Sequence, residues 1–215
     1  MTKRRKWTAI PGFLALAAAA TVLSAYSGAS SSEGRQPDQP INFPHPQHVK
    51  TLGMNCLYCH FSANKSPDPG MPAVNTCMGC HAIIGPDRPK SDVGPARKSA
   101  DLQKLWQYAD VANQGKNARP IPWVRIHKVP DYVQFPHMRH VNVGVTCQTC
   151  HGDVQNMQRV YQKSSLNMGW CINCHVNGYK PGEGARLAGA PDSTIRQAAT
   201  QPVRKARYDC SVCHY

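Results

Sequence analysis

Ten cysteines fall into five repeats of one spacing, each closed by a histidine: Cys56-Leu57-Tyr58-Cys59-His60, Cys77-Met78-Gly79-Cys80-His81, Cys147-Gln148-Thr149-Cys150-His151, Cys171-Ile172-Asn173-Cys174-His175 and Cys210-Ser211-Val212-Cys213-His214. Two thiols three positions apart meet the two vinyl groups of one haem, and the adjacent histidine then lies under the iron. The pattern implies five covalently attached haem c groups, with His60, His81, His151, His175 and His214 as proximal iron ligands. Zinc is the bland alternative, but paired Cys-x-x-Cys units sharing one tetrahedral ion carry no constant histidine. No cysteine is left over, so no disulfide is expected.

The chain holds five further histidines, His45, His48, His127, His137 and His140, one for each proximal histidine. That match suggests two imidazoles on every iron, a closed coordination that leaves no position for substrate and favours a low potential. No catalytic residue is expected, since an open haem often replaces its motif histidine with lysine and no Cys-x-x-Cys-Lys occurs. Four of the five belong to a repeat: Phe43-Pro44-His45-Pro46-Gln47-His48-Val49 recurs as Phe135-Pro136-His137-Met138-Arg139-His140-Val141, each followed by a glycine and a haem motif. Histidines three apart lie close together but aim at different targets. His45 is therefore assigned to the first haem and His48 to the second, His137 to the third and His140 to the fourth or fifth. His127 stands outside the repeat and would complete the remaining iron, with Met168 as its nearest substitute.

The elements that must position these residues are short. Ser99 to Gln114 has a helix pattern, with Ser99 as N-cap, Leu102, Leu105, Trp106 and Ala109 on one stripe, and Gly115 as terminator; it is expected to cover a haem face. Residues 120–126, with Pro120 and Pro122, read as extended chain. Aromatics make up 7% of the sequence, too few for an ordinary core, so the haems must supply one. The expected fold is a multihaem cytochrome c: short α-helices and irregular loops packed around five haems, with little sheet. The repeat divides the chain into a dihaem module, 42–119, and a trihaem module, 120–215.

Lys3, Arg4, Arg5 and Lys6 precede an apolar run from Trp7 to Tyr26, the mark of an export signal. Twenty residues at ~1.5 Å each would cover the roughly 30 Å hydrocarbon core, so residues 1–26 could also stay as a membrane anchor. Ala25 with Ser27, or Ser27 with Ala29, offers a cleavage site. Either way the haem-bearing part is expected outside the cytoplasmic membrane. Residues 27–41 have linker composition. The formal charge of +13 falls to +9 without the four N-terminal basic residues. Ten haem propionates take it to about −1 reduced, and five ferric irons to about +4 oxidised, which removes the support for nucleic-acid binding.

Ile121-Pro122-Trp123-Val124-Arg125-Ile126-His127, the following Phe135-Pro136-His137, Gly144 to Gly152, Met168-Gly169-Trp170-Cys171 and Tyr208 to Tyr215 resemble the pentahaem cytochrome subunit of alternative complex III, a bacterial quinol to cytochrome c oxidoreductase. Each half is also similar to the small c7 and c3 cytochromes, in which the first histidine of Phe-x-His-x-x-His ligates the next haem and the second a later one. The resemblance implies a membrane-anchored relay that takes electrons from integral-membrane and iron-sulfur partners and passes them to a monohaem cytochrome or oxidase. An independently anchored or periplasmic pentahaem carrier, including the NapC-type quinol dehydrogenases, is the second expectation.

Overall fold

The structure, a computed structural model, describes residues 9–26, 32–88 and 97–214. Its α-helices are α1 (Ala9–Tyr26), α2 (Cys56–Cys59), α3 (Val74–His81), α4 (Ala100–Ala109), α5 (His137–Asn142), α6 (Cys147–His151), α7 (Met168–Asn177), α8 (Pro181–Leu187), α9 (Asp192–Ala199) and α10 (Cys210–Cys213). Sheet among the described residues is one antiparallel pair of two-residue strands, β1 (Asp87–Arg88) and β2 (Arg97–Lys98), in the register Asp87 to Lys98. Short helices and little sheet are what the composition predicts.

All five cysteine pairs lie on helices: α2, α3, α6, α7 and α10. A helical turn puts positions i and i+3 on one face, so each pair of thiols addresses the same space. Local sequence starts two of these helices directly, because Asn55 Oδ1 accepts from the Leu57 N–H at 2.8 Å and Asn167 Oδ1 from the Trp170 N–H at 2.7 Å.

Buried apolar side chains are few: Ile41, Val74, Leu105 and Ile121 form one cluster, edged by Leu102, Met78 and Trp123. Helix α4 brings Leu105, 4% exposed, onto α3, and its Trp106 Nε1 donates to the His81 carbonyl at 2.9 Å, so it packs on the second haem motif. Ser99 caps α4, accepting from the Leu102 N–H at 3.2 Å. The helix stops at Ala109 and not at Gly115. Asp110 adopts a left-handed φ of 51° and its carboxylate takes the Asn117 N–H at 2.8 Å, which turns the chain early.

Toward the C-terminus α8 packs on α9, and the Tyr179 hydroxyl accepts from the Thr146 N–H at 3.2 Å beside the third motif. By contrast Phe61, Tyr58, Ile83 and Tyr208 are exposed, Ile83 to 91%, all within three residues of a motif. Apolar surface gathered at the motifs, rather than at a core, is what a protein packed around large apolar groups requires.

Two N-terminal expectations meet the structure differently. Of the expected membrane span, residues 1–8 lie outside the described residues, and among the described residues no helix is long and apolar enough to cross a membrane. Helix α1 has 18 residues, and at ~1.5 Å per residue it reaches about 27 Å. Of the expected linker, residues 27–31 lie outside the described residues, while 34–41 are strapped to the second module. Gly34 N–H donates to the Gln162 carbonyl at 2.7 Å and Gln162 N–H to Arg35 at 3.1 Å, and the Gln39 side chain makes two 2.9 Å bonds with the Val124 backbone.

Candidate haem-attachment sites

The two Phe-Pro-His-x-x-His segments fold into the same small device. Phe43 stacks on His48 with ring centroids 4.3 Å apart at 26°, and Phe135 stacks on His140 at 4.4 Å and 25°. The same phenylalanines meet the first histidine edge-on, Phe43 to His45 at 4.9 Å and Phe135 to His137 at 4.8 Å. The second histidine is fixed from below: His48 Nδ1 lies 3.0 Å from the Pro44 carbonyl and His140 Nδ1 3.1 Å from that of Pro136. A carbonyl can only accept, so Nδ1 carries the proton and Nε2 is left bare for a metal. The glycine after each segment turns the chain toward its motif at positive φ, 67° at Gly53 and 85° at Gly144.

The separations between rings test whether a haem iron fits. Imidazole nitrogens bind metals at about 2.0–2.1 Å, which puts two rings on opposite sides of one iron about 6.3 Å apart, centre to centre. His48 and His81 stand at 6.1 Å, His140 and His175 at 6.1 Å, and His137 and His151 at 6.4 Å. His45 lies beside His60, whose charge adds to burial in lowering its pKa.

Backbone carbonyls orient the proximal rings in the same way. His60 Nδ1 donates to Gly70 at 3.2 Å, His81 to Ile84 at 3.0 Å and His175 to Arg207 at 2.5 Å. Burial favours the neutral, ligating form of five of the imidazoles. Burial pushes His45 down to about 4, His127 to about 4 and His151 to about 3, with neighbouring histidines adding to each. Burial also lowers His137 and His140. The ring separations therefore fit a haem iron at the second, third and fourth motifs.

The fifth motif is placed differently. His214 stacks on Tyr132 at 5.7 Å, and the Gln134 N–H donates to the Cys213 carbonyl at 2.7 Å. His127, expected to complete the remaining iron, lies 4.2 Å from His151 with its Nε2 buried and unpartnered. That separation is too short for opposite sides of one iron. Met168 sits at the first position of α7, 65% exposed.

All ten cysteines are free thiols in the structure: Cys56, Cys59, Cys77, Cys80, Cys147, Cys150, Cys171, Cys174, Cys210 and Cys213. Cys147 donates to Cys56 across the modules, which holds the Cys56 thiol down at about 6 and pushes Cys147 up. Burial raises Cys150 to about 12 and lifts Cys59, Cys77, Cys171 and Cys174. Among the described residues no three His, Cys, Asp or Glu side chains converge as a bare metal site.

Sequence reasoning named the histidines but missed Phe43, Phe135, Pro44 and Pro136, which pack against or bond them. Their recurrence in the repeat was the available signal. The carbonyls of Pro67, Gly70 and Arg207 left none, since any residue supplies one.

Residues 139–215 match the family described as cytochrome c3. The menaquinone reductase multihaem cytochrome c subunit of Nitratidesulfovibrio vulgaris is 28% identical over 163 residues, 66% of this chain and 70% of that protein. These matches support a cytochrome c3-like multihaem domain within residues 139–215 and homology to that subunit. Electron transfer is the work of such a domain.

Proposed function

We propose that the chain holds five haems, one on each Cys-x-x-Cys-His motif, and serves as the electron relay of a membrane quinone or quinol oxidoreductase complex. When bound, each haem supplies a one-electron couple between ferric and ferrous iron. The observation that carries the reading is the duplicated geometry of the histidines, 6.1 Å from His48 to His81 and again from His140 to His175. In each module the paired thiols anchor and Nδ1–carbonyl bonds fix most of the rings, while burial favours the neutral form of His45, His137, His140 and His151. His45, His48, His137 and His140 are the second ligands of the first four irons in turn. Closed coordination at these sites supports a conductor rather than an enzyme.

The likeness to a menaquinone reductase subunit favours partners that exchange electrons with a quinone, and so does the resemblance to alternative complex III. In the first case electrons leave through the quinone; in the second they enter from quinol and go on to a monohaem cytochrome. The haem domain is assigned to the outer side of the cytoplasmic membrane, attached through the partner subunits. Intact mass should show five covalent haems, and the chain should copurify from detergent-solubilised membranes with quinone-reactive subunits. Fewer haems, or recovery as a lone carrier that oxidises quinol unaided, would overturn the relay-subunit reading. Reduction of a menaquinone analogue by the reduced complex, against oxidation of its quinol, decides the direction.

A further inference from the structure

The order of the motifs along the chain is not their order in space. His45 and His48 share one π-helical turn, Pro46–Thr51, with its preceding residue. His48 faces His81 of the second motif at 6.1 Å while His45 lies beside His60 of the first. One turn therefore seats the first and second sites next to each other. Helix α5 does the same for the third and fourth, with His137 6.4 Å from His151 and His140 6.1 Å from His175.

The two pairs are joined through the first and third motifs. The loop after the first motif runs directly against α5: the His137 and Met138 N–H groups donate to the Pro67 and Ser66 carbonyls at 3.1 and 3.2 Å. The Asn142 side chain donates to the Asn64 carbonyl at 3.0 Å, and the His137 ring itself to Pro67 at 3.0 Å. On the same junction the Cys56 thiol meets that of Cys147. The fifth motif joins the fourth: the His175 ring donates to the Arg207 carbonyl at 2.5 Å and the Ala206 N–H to the His175 carbonyl at 3.3 Å, three to four residues before Cys210.

We infer that the five attachment sites form one row in the order second, first, third, fourth, fifth, so that the first motif in sequence is the junction through which electrons cross between the modules. The inference rests on the five-haem reading and adds to it a route with two ends, the second and fifth sites. Each step oxidises one site and reduces its neighbour by one electron, with no bond made or broken. The helix α4 side of the molecule, where Trp106 bonds the His81 carbonyl, and the Tyr132 side, where His214 is stacked, are then opposite ends of the conductor.

The test injects electrons at one end of the intact chain and times their arrival. A photoexcited ruthenium complex attached at Ile83→Cys, beside the second motif, is the reductant. Three variants, His45→Met, His137→Met and His140→Met, each mark one haem, the first, third or fourth, with a methionine-to-iron charge-transfer band that bleaches on reduction. The row predicts arrival at the first marker, then the third, then the fourth. Bleaching of the third or fourth marker before the first, or together with it, overturns the row. Should a marker fail to form, Cys56→Ser with Cys59→Ser removes the junction. Arrival at the remaining third or fourth marker must then be lost, and unchanged arrival overturns the row equally. Intact mass taken first separates the two claims, because fewer than five haems in the unaltered chain rejects the haem reading before any timing is done.

Discussion

In the first module the Nδ1 of His45 is buried with no hydrogen-bond partner, whereas in the second the equivalent atom of His137 donates to the Pro67 carbonyl at 3.0 Å. The phenylalanine stacking and the proline carbonyl under the second histidine agree in the two segments, although the first turn is π-helical and the second α-helical. The carbonyl that makes the difference belongs to the first module. A duplicated segment has thus acquired a dependence in one direction: the second module borrows part of its ligand geometry from the first. A tied N–H also makes an imidazole a more basic ligand. The third iron should therefore be held at a lower potential than the first.

The largest expected effects come from removing the second ligands. His45→Ala and His137→Ala should each convert one low-spin iron to high-spin, read as a new ferric signal by electron paramagnetic resonance. Loss of two low-spin irons from one substitution would break the one-histidine, one-iron scheme. His127→Ala sharpens the comparison from outside the repeat. Its ring stands 4.2 Å from His151 and the expected result is an unchanged low-spin count; a lost iron would restore it as a ligand.

Next come the phenylalanines, which are half-buried and stack on the second histidine of each segment. Phe43→Ala and Phe135→Ala should each cost about 2–3 kcal/mol, toward the low end of the range for large aromatic truncations, because neither ring is fully enclosed. Equal losses in urea unfolding of the haem-loaded chain support equivalent modules. A loss confined to Phe135 would mean that the cross-module contacts, not the stack, dominate.

How much was legible in the sequence depends on whether the responsible group is a side chain or a backbone atom. Cysteine pairs, proximal histidines, the repeat and the short-helix fold all rest on side-chain types at fixed spacing, and Ser99 announced the start of α4. The end of α4 was misread because glycine is the usual left-handed terminator and Asp110 took that conformation instead, stabilised by its own carboxylate. The position of His127 and the strap over residues 34–41 were not legible. Both are set by contacts between segments from about two dozen to well over a hundred residues apart, made in part by loop backbone that carries no signature. The spatial order of the motifs falls in the same class, since Pro67, Ser66 and Asn64 act there through their carbonyls.

The strap also separates two kinds of contact that look alike on paper. Gln162 is fully buried, and its side-chain amide donates to the Ser164 and Ser165 carbonyls at 3.0 and 3.2 Å. Gln162→Ala leaves those carbonyls without partners and should cost about 2 kcal/mol, within the range for unsatisfied buried groups.

The smallest expected effect belongs to Arg159, which reaches Asp38 of the strap at 2.7 Å, the shorter of the two ion pairs among the described residues. Its short distance suggests importance, but both side chains face solvent, at 46% and 89% exposure. Water screens such a pair, and ordering two long side chains offsets most of the remaining attraction. The strap is held in any case by the backbone bonds of Gly34 and Arg35 to Gln162, which Arg159→Ala leaves in place, as it leaves the Arg159 carbonyl that accepts from Gln36 at 2.7 Å. Arg159→Ala should therefore change stability by less than about 0.5 kcal/mol, and even that should vanish in high salt. A loss as large as that of Gln162→Ala, persisting in salt, would mean that the charge and not the buried backbone pairing fastens the N-terminal segment to the second module.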